Sequence, residues 1–131
     1  MPVILYVLFA VSLLPILLAW AGAAYRIRQL GTLDNRHPRA QQARLTGAGA
    51  RVQAAQANAW ESLGVFTATC VIALAAGVEL ESLTPAAWLF LVCRLLHPLL
   101  YVFNLAWWRS GVYALGMLCC GYIVWRAATL S

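Results

Sequence analysis

Residues 51–78 read RVQAAQANAWESLGVFTATCVIALAAGV. Arg51, Gln53, Gln56 and Asn58 make the first half small and polar, whereas Leu63–Ala76 is apolar enough for lipid. One helix from about Ala48 to Val78 must therefore project part-way out of the hydrocarbon or bury its polar half against other helices. Glu61 sits at the junction. A second ionisable residue, Arg94, lies inside the next apolar stretch. An isolated charge near a bilayer centre costs roughly 2.5–3.5 kcal/mol on insertion scales, so such residues pair with each other or hold something polar between helices.

The rest of the chain agrees with a membrane setting. Of 131 residues, 63% are hydrophobic and only 10% charged, against about 45–50% and 25% in soluble domains. A spanning helix needs roughly 20 apolar residues. The length allows four spans and one sizeable loop: a single membrane domain over residues 1–131, an all-α, four-transmembrane-helix bundle. The expected spans are about 3–25, 50–78, 85–105 and 111–127, with a cytoplasmic loop at 26–49. Pro2–Trp20 followed by Ala21-Gly22-Ala23 has the look of a signal peptide. It lacks a basic leader and its apolar run is too long, so it reads as a true span.

All nine basic residues are arginine, and the net charge is +5. Six of them lie between Arg26 and Arg51. That clustering beside a span argues for a membrane surface and against nucleic acid. The arginine bias puts the 26–51 loop in the cytoplasm and both termini outside. Within the loop, Asp34-Asn35-Arg36-His37-Pro38-Arg39 reads as a turn in which proline breaks any helix. Trp107-Trp108-Arg109-Ser110 reads as an interfacial turn on the same face, and Glu79-Leu80-Glu81-Ser82 as an acidic turn on the other. The cysteines, Cys70, Cys93, Cys119 and Cys120, each lie in an apolar run without metal-ligand spacing, as small buried side chains do.

Residues three, four and seven apart share a helix face. Arg51, Asn58 and Glu61 follow that spacing in the second span. Arg94, His97 and Tyr101 follow it in the third. Arg109, Ser110 and Tyr113 stand at the start of the fourth, and Arg26 and Arg28 close the same end. In lipid, such stripes face protein or an aqueous cleft. Several guanidiniums make a surface that matches carboxylates, and one carboxylate can receive an ammonium. Glutathione, with two carboxylates, one ammonium and a thiol that nearby arginine activates, is one ligand that fits. An interhelical Glu61–Arg94 ion pair with no ligand accounts for the same residues.

Four short spans, a basic first loop and Arg51-Val52-Gln53-Ala54-Ala55-Gln56-Ala57-Asn58-Ala59-Trp60-Glu61 together resemble the MAPEG superfamily, the membrane-associated proteins in eicosanoid and glutathione metabolism. Arg94-x-x-His97-x-x-x-Tyr101 is similar to the third helix of the prostaglandin E synthase branch. Arg109-Ser110-x-x-Tyr113 resembles the start of that branch's fourth helix, one residue closer to the third, and Arg26-x-Arg28 resembles the end of its first. The Asp34-Asn35-x-x-Pro38-Arg39 loop is similar to bacterial members, which implies a bacterial inner membrane. Two positions depart from the pattern. Ala54 stands where the family's catalysts usually carry a second arginine, and Ser62 where an aromatic residue follows the glutamate.

The resemblance implies a homotrimer with glutathione bound between subunits. Arg26, Arg51, Asn58, Glu61, Arg94, His97, Tyr101 and Tyr113 would hold the peptide, with Arg26 reaching in from the neighbour. Arg109 and Ser110 would be catalytic through the thiolate, and no metal is implied. A lipophilic small-molecule substrate would enter sideways from the lipid. The implied activity is a glutathione-dependent transferase, isomerase or peroxidase acting on lipophilic electrophiles. The alternative is a non-catalytic trimeric scaffold or accessory subunit with a degenerate site. A small drug–proton antiporter would carry its acid in the first span, and here that span has none.

Overall fold

A computed structural model describes residues 1–130. The elements are α1 (Val3–Leu30), α2 (Pro38–Gln42), α3 (Gly47–Ala75), a 3-10 turn at Leu80–Leu83, α4 (Thr84–Val102) and α5 (Ala106–Leu130). Four of the helices, α1, α3, α4 and α5, are long and apolar enough to cross a membrane. They form a bundle in which α1 packs chiefly on α3, α4 chiefly on α5, and α3 touches both α4 and α5.

The core is small and apolar. Ile4, Val7 and Val11 of α1 meet Phe66, Cys70 and Ala73 of α3, Ala87 and Phe90 of α4, and Cys120, Ile123 and Ala127 of α5. Phe66 and Phe90 stack with ring centroids 4.0 Å apart and planes 9° from parallel. All four cysteines are buried and free. Large apolar side chains such as Phe9, Leu17, Leu74, Leu96 and Leu118 point outward. Without water to drive burial between helices, close packing of small residues holds such a bundle together.

The helix ends differ from those of the spans read from hydropathy. α1 continues through Arg26–Leu30 and stops at Gly31, whose φ of 82° allows its N–H to bond Ile27 O at 2.9 Å. Pro38 does not break a helix; it opens α2, because proline's fixed φ suits the first helical position and its missing N–H costs nothing there. α3 ends at Ala75, three residues before Val78. Trp107–Ser110 is not a turn either. These residues form the first turn of α5, and the chain reverses at Phe103–Leu105 instead. Asn104 makes that reversal with φ 58°, a left-handed conformation that asparagine tolerates better than most residues.

The 31–46 segment packs against the helix ends. Gln41, only 4% exposed, receives a hydrogen bond from Arg26 Nη1 (3.2 Å) and another from Asp34 N (3.0 Å). Its own amide donates to Thr32 O at 2.7 Å. Asp34 Oδ1 accepts from the backbone N–H groups of Arg36 and His37, at 2.9 and 3.0 Å. Gln29 pairs reciprocally with the backbone of Thr46, both bonds at 3.0 Å. Arg51 Nε bonds Val102 O at 3.0 Å, which ties this end of α3 to the end of α4.

Candidate functional site

A polar cavity of about 240 Å3 opens near that tie. Asn58 of α3, His97 and Tyr101 of α4, and Arg109, Ser110 and Tyr113 of α5 line it. Helical spacing explains the convergence. His97 and Tyr101 are four residues apart, as are Arg109 and Tyr113, so each pair shares a face. Because α5 begins at Ala106, Arg109 and Ser110 are fixed by regular helix rather than by a loop.

The aromatic side chains order the charges. Arg109 lies over the Tyr101 ring, its guanidinium carbon 4.2 Å from the centroid. His97 meets Tyr101 edge-on, with centroids 5.6 Å apart, and Tyr113 at 6.2 Å. The guanidinium is thus held at the cavity by a ring face and keeps its hydrogen-bond donors for another group.

Behind the cavity is Arg94, 1% exposed. Its Nη2 donates to Asn58 Oδ1 at 2.8 Å, while Nε and Nη1 find no partner. His97 Nδ1 is also buried without a partner. A buried cation served by one neutral amide is an incomplete arrangement, since buried charge demands pairing and hydrogen bonding.

The expected Glu61–Arg94 pair does not form within the chain. The only ion pair among the described residues is His37–Asp34, and Glu61 is exposed on the outside of the bundle. At about 3.6 residues per turn, Glu61 is rotated too far from Asn58 to follow it inward. Arg51 and Arg26 also stay off the cavity wall. Arg51 is committed to Val102 O, and Arg26, 8% exposed, to Gln41. Of the ten expected site residues, six line the cavity, Arg94 backs it through Asn58, and Glu61, Arg26 and Arg51 lie elsewhere.

Gln41 carried no sequence signal, because its importance comes only from the groups that folding brings to it. Ser62, which the sequence marked only as a departure from the family pattern, is 1% exposed with an unpartnered Oγ.

The MAPEG family model matches residues 3–129. The chain belongs to the MAPEG family. No curated protein and no solved structure matches it. Membership and the four long apolar helices make this an integral membrane protein. In this MAPEG chain, Asn58 and the residues read from the third and fourth spans, Arg94 excepted, meet in a single cavity.

Proposed function

We propose that this protein is a glutathione-dependent transferase, isomerase or peroxidase acting on lipophilic electrophiles, with its site completed between the subunits of a homotrimer. The observation that carries the reading is the cavity itself, where Asn58, His97, Tyr101, Arg109, Ser110 and Tyr113 surround about 240 Å3. The donor set suits glutathione. Arg94 Nε and Nη1 are buried and unpartnered behind Asn58, so its unbalanced charge favours an anionic, peptide-like ligand in the cavity.

Glutathione, when bound, supplies a thiol as nucleophile. Asn58, oriented by Arg94, offers its amide N–H groups to a carbonyl or carboxylate. Arg109, steadied on Tyr101, places positive charge where a thiolate forms and so favours the ionised sulfur, whose ordinary pKa is roughly 8.5. The Ser110 hydroxyl donates to the same sulfur. Glu61 faces outward, where a neighbouring subunit covers it and where it receives an ammonium. Ala54 removes one carboxylate-binding guanidinium from the family pattern, and Arg94 partly offsets that loss. The 26–51 loop faces the cytoplasm of a bacterial inner membrane, with the termini outside, which gives the cavity access to cytosolic thiol.

The test is isothermal calorimetry with glutathione, together with turnover of chlorodinitrobenzene by the purified protein. Saturable binding is expected, with glutathione-dependent turnover that falls at least tenfold in Arg109→Ala. No binding and no turnover would leave the competing reading: a non-catalytic scaffold in which the Arg94–Asn58 bond only locks α3 to α4. On that reading no small thiol changes the melting temperature.

A further inference from the structure

An apolar groove of about 350 Å3 runs between α4 and α5 at the end of the bundle away from Arg109. Pro85, Ala86 and Leu89 of α4 face Leu115, Leu118 and Tyr122 of α5 across it. The small side chain of Ala86 leaves the space, and Leu89, Leu115 and Leu118, all partly exposed, form its rims. No residue of α3 lines it, so association of subunits along α3 leaves it open. On α5, Leu118 lies half a turn around from Arg109 at about 3.6 residues per turn, so the groove and the polar cavity occupy opposite sides of that helix.

The groove has a polar mouth. Arg126 is 17 residues beyond Arg109 on α5, about 26 Å along the axis at 1.5 Å per residue. That separation is close to the thickness of a bilayer's hydrocarbon, roughly 30 Å, and places Arg126 at the opposite headgroup level. Tyr122 and the exposed Trp125 stand beside it, with ring centroids 6.0 Å apart, as aromatic residues do at a membrane interface. Arg126 Nη1 donates to Tyr122 Oη at 3.0 Å, and Nη2 reaches Ser82 Oγ at 3.4 Å. The Tyr122 hydroxyl accepts that bond and keeps its own hydrogen to donate.

The charges at this mouth are unmatched. Arg126 forms no ion pair among the described residues. Glu79 and Glu81 flank Ser82 in the neighbouring turn, are exposed, and form none either. A complementary ligand brings an anion to Arg126, an N–H cation to the acidic turn, an acceptor to Tyr122, and an apolar chain to the groove.

We propose that this groove is a binding site for a phospholipid with a phosphoethanolamine headgroup. Its phosphate rests on Arg126, its ammonium meets the carboxylates of Glu79 and Glu81, an ester carbonyl accepts from Tyr122, and one acyl chain lies between Leu89 and Leu118. Leu115 and Tyr122 are seven residues apart, so about 10 Å of chain is enclosed. The site lies within one subunit and needs neither glutathione nor the trimer.

Delipidated protein in detergent, titrated with lipids of identical acyl chains and read by native mass spectrometry, tests the proposal. Phosphatidylcholine has the same net charge as phosphatidylethanolamine but no N–H donor. Phosphatidylglycerol keeps the phosphate but has no cation for the acidic turn. Phosphatidylethanolamine is expected to bind about tenfold more tightly than either, the scale of one charge-assisted hydrogen bond. Glu79→Gln with Glu81→Gln should erase its advantage over phosphatidylglycerol, and Arg126→Gln should weaken all three lipids. Ala86→Phe, which fills the groove, should weaken all three while melting like the wild type. Equal binding of the three lipids by the wild type would overturn the proposal, as would unchanged phosphatidylethanolamine binding in Ala86→Phe. Glycerophosphoethanolamine binding as tightly as the whole lipid would overturn it too, because the groove would then contribute nothing.

Discussion

Arg94 concentrates the energetics of the bundle in one side chain. It is buried, its charge is met within the chain only by Asn58 Oδ1, and two of its nitrogens are unpartnered. Removing the amide strands the guanidinium, and leaving a buried polar group unsatisfied costs about 1–3 kcal/mol, more where the group is charged. Asn58→Leu should therefore lower the melting temperature sharply. Asn58→Leu combined with Arg94→Met removes the charge as well, and should melt at or above the wild-type temperature while losing affinity for glutathione. Thermal melts of the three proteins, with and without the ligand, check this. Arg109 offers a second residue-level test. Arg109→Lys keeps the charge but loses the planar stack on Tyr101, worth about 0.5–1 kcal/mol at an accessible site. A few-fold weaker response to glutathione is expected, against the much larger loss in Arg109→Ala. At this scale the sequence was informative where helical spacing alone sets direction. His97 with Tyr101, and Arg109 with Tyr113, needed only a regular helix to share a face. Glu61 and Arg51 shared the same nominal stripe as Asn58, yet which part of a stripe is buried depends on the neighbouring helices, and a single sequence does not specify that.

The elements differ in what maintains them. α3 and α4 are joined by the Phe66–Phe90 stack. Phe90→Ala leaves a cavity between them, and at about 24 cal/mol per Å3 over roughly 100 Å3 the loss is about 2 kcal/mol. The further cost of exposing apolar surface to water does not arise in lipid, so a melt in detergent or bilayer should show a moderate drop. The 31–46 segment relies on polar contacts instead. Asp34 accepts two backbone N–H bonds there, and that from His37 is the main reason its carboxyl titrates below the ordinary 3.8. A carboxyl whose folded value is depressed stabilises the fold above its unfolded value, and that contribution disappears as pH falls through the folded value. The loop should become more open to acid-active protease below about pH 4, whereas Asp34→Asn, which keeps the accepting oxygen, should show no such pH step. The four long helices were readable because hydropathy and length alone define a spanning segment. The loop was not, because proline at 38 reads equally as a helix breaker and as a helix opener until the backbone before it is known. The α4–α5 reversal was misplaced for a related reason. Trp107-Trp108 looks like a headgroup anchor in any conformation, and the deciding feature is the left-handed Asn104 three residues earlier.

The whole molecule has an outer surface suited to lipid except along α3. Glu61, midway along that helix, is exposed, and no partner for it exists within the chain among the described residues. A monomer would present this carboxylate to hydrocarbon at a cost on the order of 2.5–3.5 kcal/mol for the charged form, unless the chain tilts or thins the bilayer. Association of subunits along α3 avoids that cost by enclosing Glu61. It would also place the carboxylate beside a cavity that holds Arg109 and is backed by Arg94 but lacks an acid of its own. The same association would account for the incomplete pairing of Arg94, since a site built by two subunits need not balance its charges within one. Sedimentation equilibrium in a density-matched detergent is expected to give a mass close to three chains. Glu61→Leu should keep the oligomer, because leucine also packs between helices, but should abolish glutathione binding. A Glu61→Leu protein that still binds glutathione normally would remove Glu61 from the site, and a wild-type mass of one chain would exclude an intersubunit location altogether.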